Sequence, residues 1–239
     1  MKRAFPILAV LTGALLSYAL YQALVAAPTE QTMGDVQRIF YYHVPSAWTA
    51  FILFLVNFFA SIVYLIRRAT KADIVALVTA EVGVVFCTVV LVTGPIWARP
   101  VWGIWWTWDL RLTLTLVLWL IYVSYLVLRR FSSSGQTPLL AAVLAVFGAL
   151  DVPLVYFSIW FFRTQHPQPV IGGGGSIDPR MLHVLLINWL AFSCFAALVC
   201  WSRYRLEVLR REVDETLALE ALLEPRGSQT RISPTGRAG

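Results

Sequence analysis

Six stretches of this chain are too long and too apolar to be covered by a water-soluble fold. They run over residues 5–26, 45–66, 73–94, 111–129, 138–160 and 181–201, and each supplies the roughly 20 residues that a helix needs to cross the ~30 Å hydrocarbon core of a bilayer. Composition agrees: 59% of the 239 residues are hydrophobic and 13% are charged, about half the charged share of an ordinary globular domain. The chain is therefore predicted to be an all-α, polytopic integral membrane protein with six transmembrane helices and no large soluble catalytic domain. The first stretch begins with Lys2-Arg3 and ends with Ala26-Ala27, as a signal peptide would. Its apolar run exceeds the ~7–15 residues of a signal core, and Pro28 follows the small residues, so it is expected to stay as an uncleaved helix.

The net charge of +6 could suggest nucleic acid, but the basic residues sit at the ends of apolar runs rather than in one patch, as membrane topology requires. Of the 19 Lys and Arg, only Arg38, Arg99, Arg111, Arg163 and Arg180 fall in the loops of one side. The opposite side, which carries both termini, is expected to be cytoplasmic. Two regions follow. Residues 1–202 are read as a six-helix membrane domain. Residues 203–239 are read as a cytoplasmic extension, helical where Leu206, Leu209, Val213 and Leu217 recur at helical spacing and disordered after Pro225. Pro45 and Pro179 are expected just inside the starts of spans two and six, where a missing N–H costs nothing. The glycines at residues 172–175 are expected to make the third outer loop mobile. Cys87, Cys194 and Cys200 lie in apolar stretches with no CxxC or CxxCH, which argues against a zinc ribbon, a disulfide framework and covalent attachment of a c-type haem.

Once the topology is fixed, all three histidines fall on the outer side. His43 lies before span two, His166 after span five and His183 at the start of span six. Five of the ten tryptophans, Trp97, Trp102, Trp105, Trp106 and Trp108, crowd into WARPVWGIWWTWD just before span four. An interfacial aromatic belt accounts for one or two indoles at a helix end. Five in one loop make a flat, polarisable platform suited to a planar macrocycle. Porphyrin offers two faces for stacking, carboxylates that pair with arginines and an iron that accepts an imidazole on each side. Position alone leaves open which two of the three histidines would ligate, because the first helical turn at His183 also suits a neutral imidazole. Arg99, Arg163, Arg38 and Arg180 are candidates for the propionates, with snorkelling at the interface as the competing role.

Asp109 closes the Trp run and is expected to cap span four by accepting from the backbone of Arg111 or Leu112. It can also fix the loop by accepting an indole or imidazole N–H. Ionisable residues inside spans are costly, and two are present, Glu81 and Asp151. Both are expected to act structurally first, as a buried pair or through bonds to backbone loosened where Pro153 kinks span five.

The string WGIWWTWDLRLT resembles the WWD signature of haem-handling membrane proteins. Together with YYHVPSAW around His43, LVTGPIWARPVWG before the signature and SIDPRM after the glycines, it makes most of residues 36–181 similar to the cytochrome c maturation protein C family, also called haem exporter protein C. The resemblance implies a subunit of the cytochrome c maturation machinery in the bacterial inner membrane. Such a subunit holds haem b noncovalently at the periplasmic face and delivers it to a periplasmic haem chaperone. The resemblance further implies His43 and His166 as axial ligands, and the five tryptophans with Asp109 as haem platform and chaperone contact. A small single-span subunit and the ATPase and permease subunits of an ABC transporter are the implied partners. No Walker A motif is present, so any ATP dependence comes from a partner, and the chain is expected to be a transfer factor rather than an enzyme. The alternative is a b-type cytochrome-like electron-transfer or quinol oxidoreductase subunit. Such proteins seat haem between spanning helices with histidines well inside the bilayer, and no histidine here is near the centre of a span.

Single cysteines in a variant without the three native ones check the orientation. Ser134→Cys should react with a membrane-impermeant maleimide only after the membrane is opened, and Ile104→Cys should react in intact spheroplasts. The reverse pattern would invert the topology.

Overall fold

The computed structural model describes residues 4–132, 134–162, 165–167 and 177–223. Among these the regular elements are all helices, joined by loops such as 27–34 and 103–109. Helix α1 (Ala4–Tyr21) runs into a π-helical turn (Gln22–Ala26), and a short 3-10 helix (Asp35–Ile39) leads into α2 (Phe40–Arg67). There follow α3 (Thr70–Trp102), α4 (Leu110–Phe131), α5 (Thr137–Ala149), α6 (Asp151–Phe161) and α7 (Pro179–Leu223). With α5 and α6 taken as one crossing, six helices are long and apolar enough to span a membrane. The expected all-α, six-span architecture is what the chain adopts.

Several helices outrun the apolar stretches that announce them. Helix α2 begins at Phe40, so Pro45 lies inside the helix instead of in its first turn. The helix continues because the proline removes only the bond to the Tyr41 carbonyl. The 33 residues of α3 are about 50 Å long at ~1.5 Å per residue, so the helix rises beyond the hydrocarbon. It carries Trp97, Arg99 and Trp102 on helix, not in the loop expected for them. Helix α3 ends at Gly103, whose φ of 79° lets its N–H reach the Arg99 carbonyl at 3.0 Å. That left-handed conformation suits glycine. The fifth span breaks where expected: Pro153 has no N–H to offer the Ala149 carbonyl, α5 stops at Ala149, and Asp151 opens α6.

Helix α2 packs along α3 and also touches α5 and α7, while α4 lies against α3, α5 and α6. Helix α1 rests chiefly on α7 and leaves most of its side chains facing outward. The main apolar cluster centres on Phe54, whose ring stacks on Tyr122 at 3.9 Å and 14°. Gly83 makes this possible, because a Cβ there would sit 2.7 Å from Phe54 Cε1. Small residues serve close helix approach in this way in membranes. A second cluster, around Phe40, Tyr41, Trp97, Met181 and Leu185, lies at the end that carries His43, called the site end below.

The opposite end is tied by charge. Asp73 in the first turn of α3 accepts from Arg129 of α4 at 2.6 and 2.8 Å and from Arg211 of α7 at 2.7 Å. Arg211 also donates to Glu207 at 2.9 Å. Glu81 takes the structural role expected of it, accepting from Arg203 at 2.8 and 2.9 Å. Asp151 does not: its Oδ2 is buried without a hydrogen-bond partner among the described residues. Helix α7 continues to Leu223 with Leu206, Leu209, Val213 and Leu217 exposed. The glycines at residues 172–175 and the tail after Leu223 lie outside the described residues.

Asp73→Ala would strand the buried Arg129 and leave Arg211 with Glu207 as its carboxylate partner. Breaking a buried pair in this way costs about 3–5 kcal/mol, and unfolding of the detergent-solubilised variant should show a loss of that order. A loss below ~1 kcal/mol would mean that the clamp carries little of the fold.

Candidate functional site

Between the two apolar clusters the helices leave a cavity of about 910 Å³, near the upper end of the range for ligand pockets. Helix α2 contributes His43, α3 contributes Trp97 and Trp102, and the 103–109 loop contributes Trp106. Arg111 enters from α4, His166 from the segment after α6, and Trp189 from α7. The walls descend to Phe51 on α2 and Cys87 on α3. Phe51 is two turns below His43, about 12 Å along the helix.

The two histidines come together from α2 and from the segment after α6. His43 is buried in the first turn of α2, with Nδ1 2.9 Å from Thr93 Oγ1 and its ring 6.0 Å from that of Trp97. The His166 ring lies 6.4 Å from the His43 ring, with 33° between their planes. His166 Nδ1 is 2.9 Å from the Pro167 carbonyl. A carbonyl can only accept, so Nδ1 carries the proton and, in the neutral ring, Nε2 carries the lone pair. Burial, and after it the charge of Arg111, hold the His166 imidazole down at about 4. The ring is therefore neutral at physiological pH, the form that ligates metals. His183 stands apart, exposed beside a small pocket against the π-helical turn.

The indoles divide into two groups. Trp97, Trp102 and Trp106 line the cavity, whereas Trp105 is 59% and Trp108 76% exposed outside it. Among the described residues, Trp97 Nε1, Trp106 Nε1, Trp189 Nε1 and an Arg111 guanidinium nitrogen are buried without partners, all on lining residues. Gln37 Oε1 is the lining acceptor in the same condition. Buried polar groups are almost always satisfied, and five of the unmet ones among the described residues belong to residues that line the cavity. Carboxylates are the natural complement of a guanidinium among them.

The arginines also separate. Arg180 lines the cavity while donating to Asp178 at 2.8 Å. Arg99 is exposed and turns back to the Gly103 carbonyl. Arg38 donates to the Ala23 carbonyl at 2.8 Å and pins the 3-10 helix to the π-helical turn. Neither lines the cavity. Arg163 lies outside the described residues.

A family model described as Heme exporter protein C matches residues 1–219. A chain named heme exporter protein C from Bradyrhizobium diazoefficiens is 36% identical over 92% of this chain and 84% of its own length. Chains of the same name from Haemophilus influenzae and Escherichia coli strain K12 are each 31% identical, over 87% and 83% of this chain and 85% and 81% of their own lengths. This chain belongs to the heme exporter protein C family.

The heme exporter protein C match takes in every cavity residue named above. Asp109, at the end of the WWD-like string, caps α4: Oδ1 accepts from the Leu112 N–H at 3.0 Å and Oδ2 from the Thr107 hydroxyl at 3.1 Å. Sequence reasoning passed over Arg111 and Thr93. Arg111 had a signal, since a cation in the first turn of a helix opposes the helix dipole and needs a reason to be there. Thr93 had none, because a threonine in an apolar helix is ordinary until its neighbour across the interface is known.

Asp109→Asn should leave unfolding in detergent unchanged within about 0.5 kcal/mol, and Asp109→Ala should lose about 1 kcal/mol, the usual worth of an N-cap. Equal losses in both variants would show that the cap is not what Asp109 contributes.

Proposed function

We propose that this chain is a haem-handling subunit of cytochrome c maturation in the bacterial inner membrane. In this reading it holds haem b noncovalently at the periplasmic face between His43 and His166 and passes it to a periplasmic haem chaperone. The observation that carries the reading is the approach of these two imidazoles, from distant parts of the sequence, to 6.4 Å inside one cavity. One metal ion held between two imidazoles asks for about 6 Å between ring centroids, from two metal–nitrogen bonds of ~2 Å and two ring radii of ~1 Å. The relatives' shared name, heme exporter, supports the same cargo.

The cargo's iron offers its two axial positions, and the chain's own groups do the rest. Neutral imidazoles supply the lone pairs. Trp97, Trp102 and Trp106 supply apolar faces that exclude water from the ring. Arg111, with an unmet donor, and Arg180 supply cations for the propionates. Trp105 and Trp108, exposed beyond the cavity, supply an indole surface of the kind enriched at protein contacts, here for the chaperone. Residues 1–202 carry this work and residues 203–239 extend it to the cytoplasmic side. The single-span subunit and the ABC transporter subunits complete the assembly. The chain acts as a transfer factor and not as an enzyme.

Protein purified from haem-producing cells should carry noncovalent haem with a low-spin, two-imidazole absorption spectrum. His43→Ala and His166→Ala should each lose or weaken it, and His183→Ala should keep it. Haem retained unchanged in both of the first two variants overturns the ligand assignment. Trp105→Ala combined with Trp108→Ala should retain haem and fail to transfer it. Wild-type protein that binds haem but never yields it to an acceptor would favour the electron-transfer reading.

A further inference from the structure

An imidazole that ligates through one nitrogen must have the proton on the other, and the surroundings of His43 decide where that proton sits. Among the described residues its one hydrogen-bond partner is Thr93, with Oγ1 2.9 Å from Nδ1. The same oxygen lies 2.7 Å from the Val89 carbonyl, one turn back along α3. A carbonyl only accepts, so the single hydroxyl proton of Thr93 is committed to Val89, and what Thr93 presents to the histidine is a lone pair. A lone pair there requires a proton on Nδ1.

We propose that Thr93 is a positioning residue: its back-bonded hydroxyl holds His43 in the Nδ1–H tautomer and so delivers Nε2 to the cavity as a bare, metal-ligating lone pair. The other tautomer would set two lone pairs face to face across 2.9 Å unless the hydroxyl abandoned Val89. It would also add an N–H to a cavity that already holds unmet donors on Trp97, Trp106 and Arg111. Gly94, the next residue, brings the ring close to α3, since a Cβ there would stand 3.4 Å from His43 Cε1. Thr93, Gly94 and His43 thus form one seat. His166 reaches the same protonation pattern by a different device, the Pro167 carbonyl. The Thr93 device is also graded. A carboxylate in its place would raise the basicity of the ligand, whereas a hydroxyl leaves it moderate, which suits a cargo that must be given up.

The purpose assigned to the tautomer rests on the haem-ligand reading, but the tautomer itself belongs to the haem-free chain and is measured there. The full-length protein, labelled with 15N at its three histidines and purified from haem-deficient cells in detergent, reports each ring's tautomer through its nitrogen shifts. His166→Gln and His183→Gln leave the His43 signals to be assigned. Wild-type His43 should be protonated at Nδ1. Thr93→Val, close in shape but without an acceptor, should lose that preference, and Thr93→Ser should restore it. In haem-loaded protein Thr93→Val should weaken retention by roughly 10–100-fold, the usual cost of removing a hydrogen-bond partner behind a metal-ligating histidine. It should also broaden the two-imidazole spectrum, while Thr93→Ser stays near wild type. A wild-type His43 protonated at Nε2 overturns the proposal without any variant having to fold, and so does a Thr93→Val protein with its tautomer unchanged. Haem retained by His43→Ala overturns the ligand reading and leaves the tautomer result to stand or fall by itself.

Discussion

An N–H group buried without an acceptor costs on the order of 1–3 kcal/mol, and more when it is charged. Among the described residues, those of Trp97, Trp106, Trp189 and an Arg111 guanidinium nitrogen have no acceptor, and all four residues line one cavity here. The fold can bear this because its stabilising contacts lie elsewhere. Phe54 stacks on Tyr122 in the main core, and Asp73 gathers Arg129 and Arg211 at the far end. Any ligand that supplies acceptors to those donors stabilises the folded chain in proportion to its occupancy, so loading and stability are coupled through the same few atoms.

The bilayer decides where such a site can exist. Within hydrocarbon the backbone must satisfy itself, which leaves helix ends and the spaces between helices for polar work. Helices α2 and α3 exceed the length needed to cross, and the surplus turns carry His43, Thr93, Trp97 and Trp102 up to the site end on rigid backbone. Gly103 stops α3 and Asp109 starts α4, so the connecting loop is short and its indoles are sorted by geometry. Trp106 turns in, while Trp105 and Trp108 turn out. One cluster of similar residues thereby becomes two surfaces, a lining and an exterior.

The fold was legible because hydrophobic length is a strong signal, and the kink at Pro153 because a missing N–H has a fixed consequence four residues back. The exact ends of α2 and α3 were not, since the apolar run stops where lipid stops and the helix does not. Trp97 to Trp102 look like loop in a sequence rich in Pro and Trp, yet Pro95 and Pro100 both sit inside α3. The three histidines were legible as candidates. That His43 and His166 face each other while His183 sits by the π-helical turn is a matter of packing between helices, which spacing along the chain does not encode. Asp151 illustrates the converse: its cost was visible in the sequence, and the lack of a partner for its Oδ2 among the described residues was not.

The two facing histidines are not held alike. His43 is buried in a regular helix and braced by a second helix through Thr93. His166 is only half-buried, and its ring is oriented by the carbonyl of the very next residue. A ring fixed by tertiary packing keeps its place, because moving it would disturb the α2–α3 interface. Thr93 and Gly94 of α3 both lie against the His43 ring, so its position is decided by the packing of two helices rather than by its own turn of backbone.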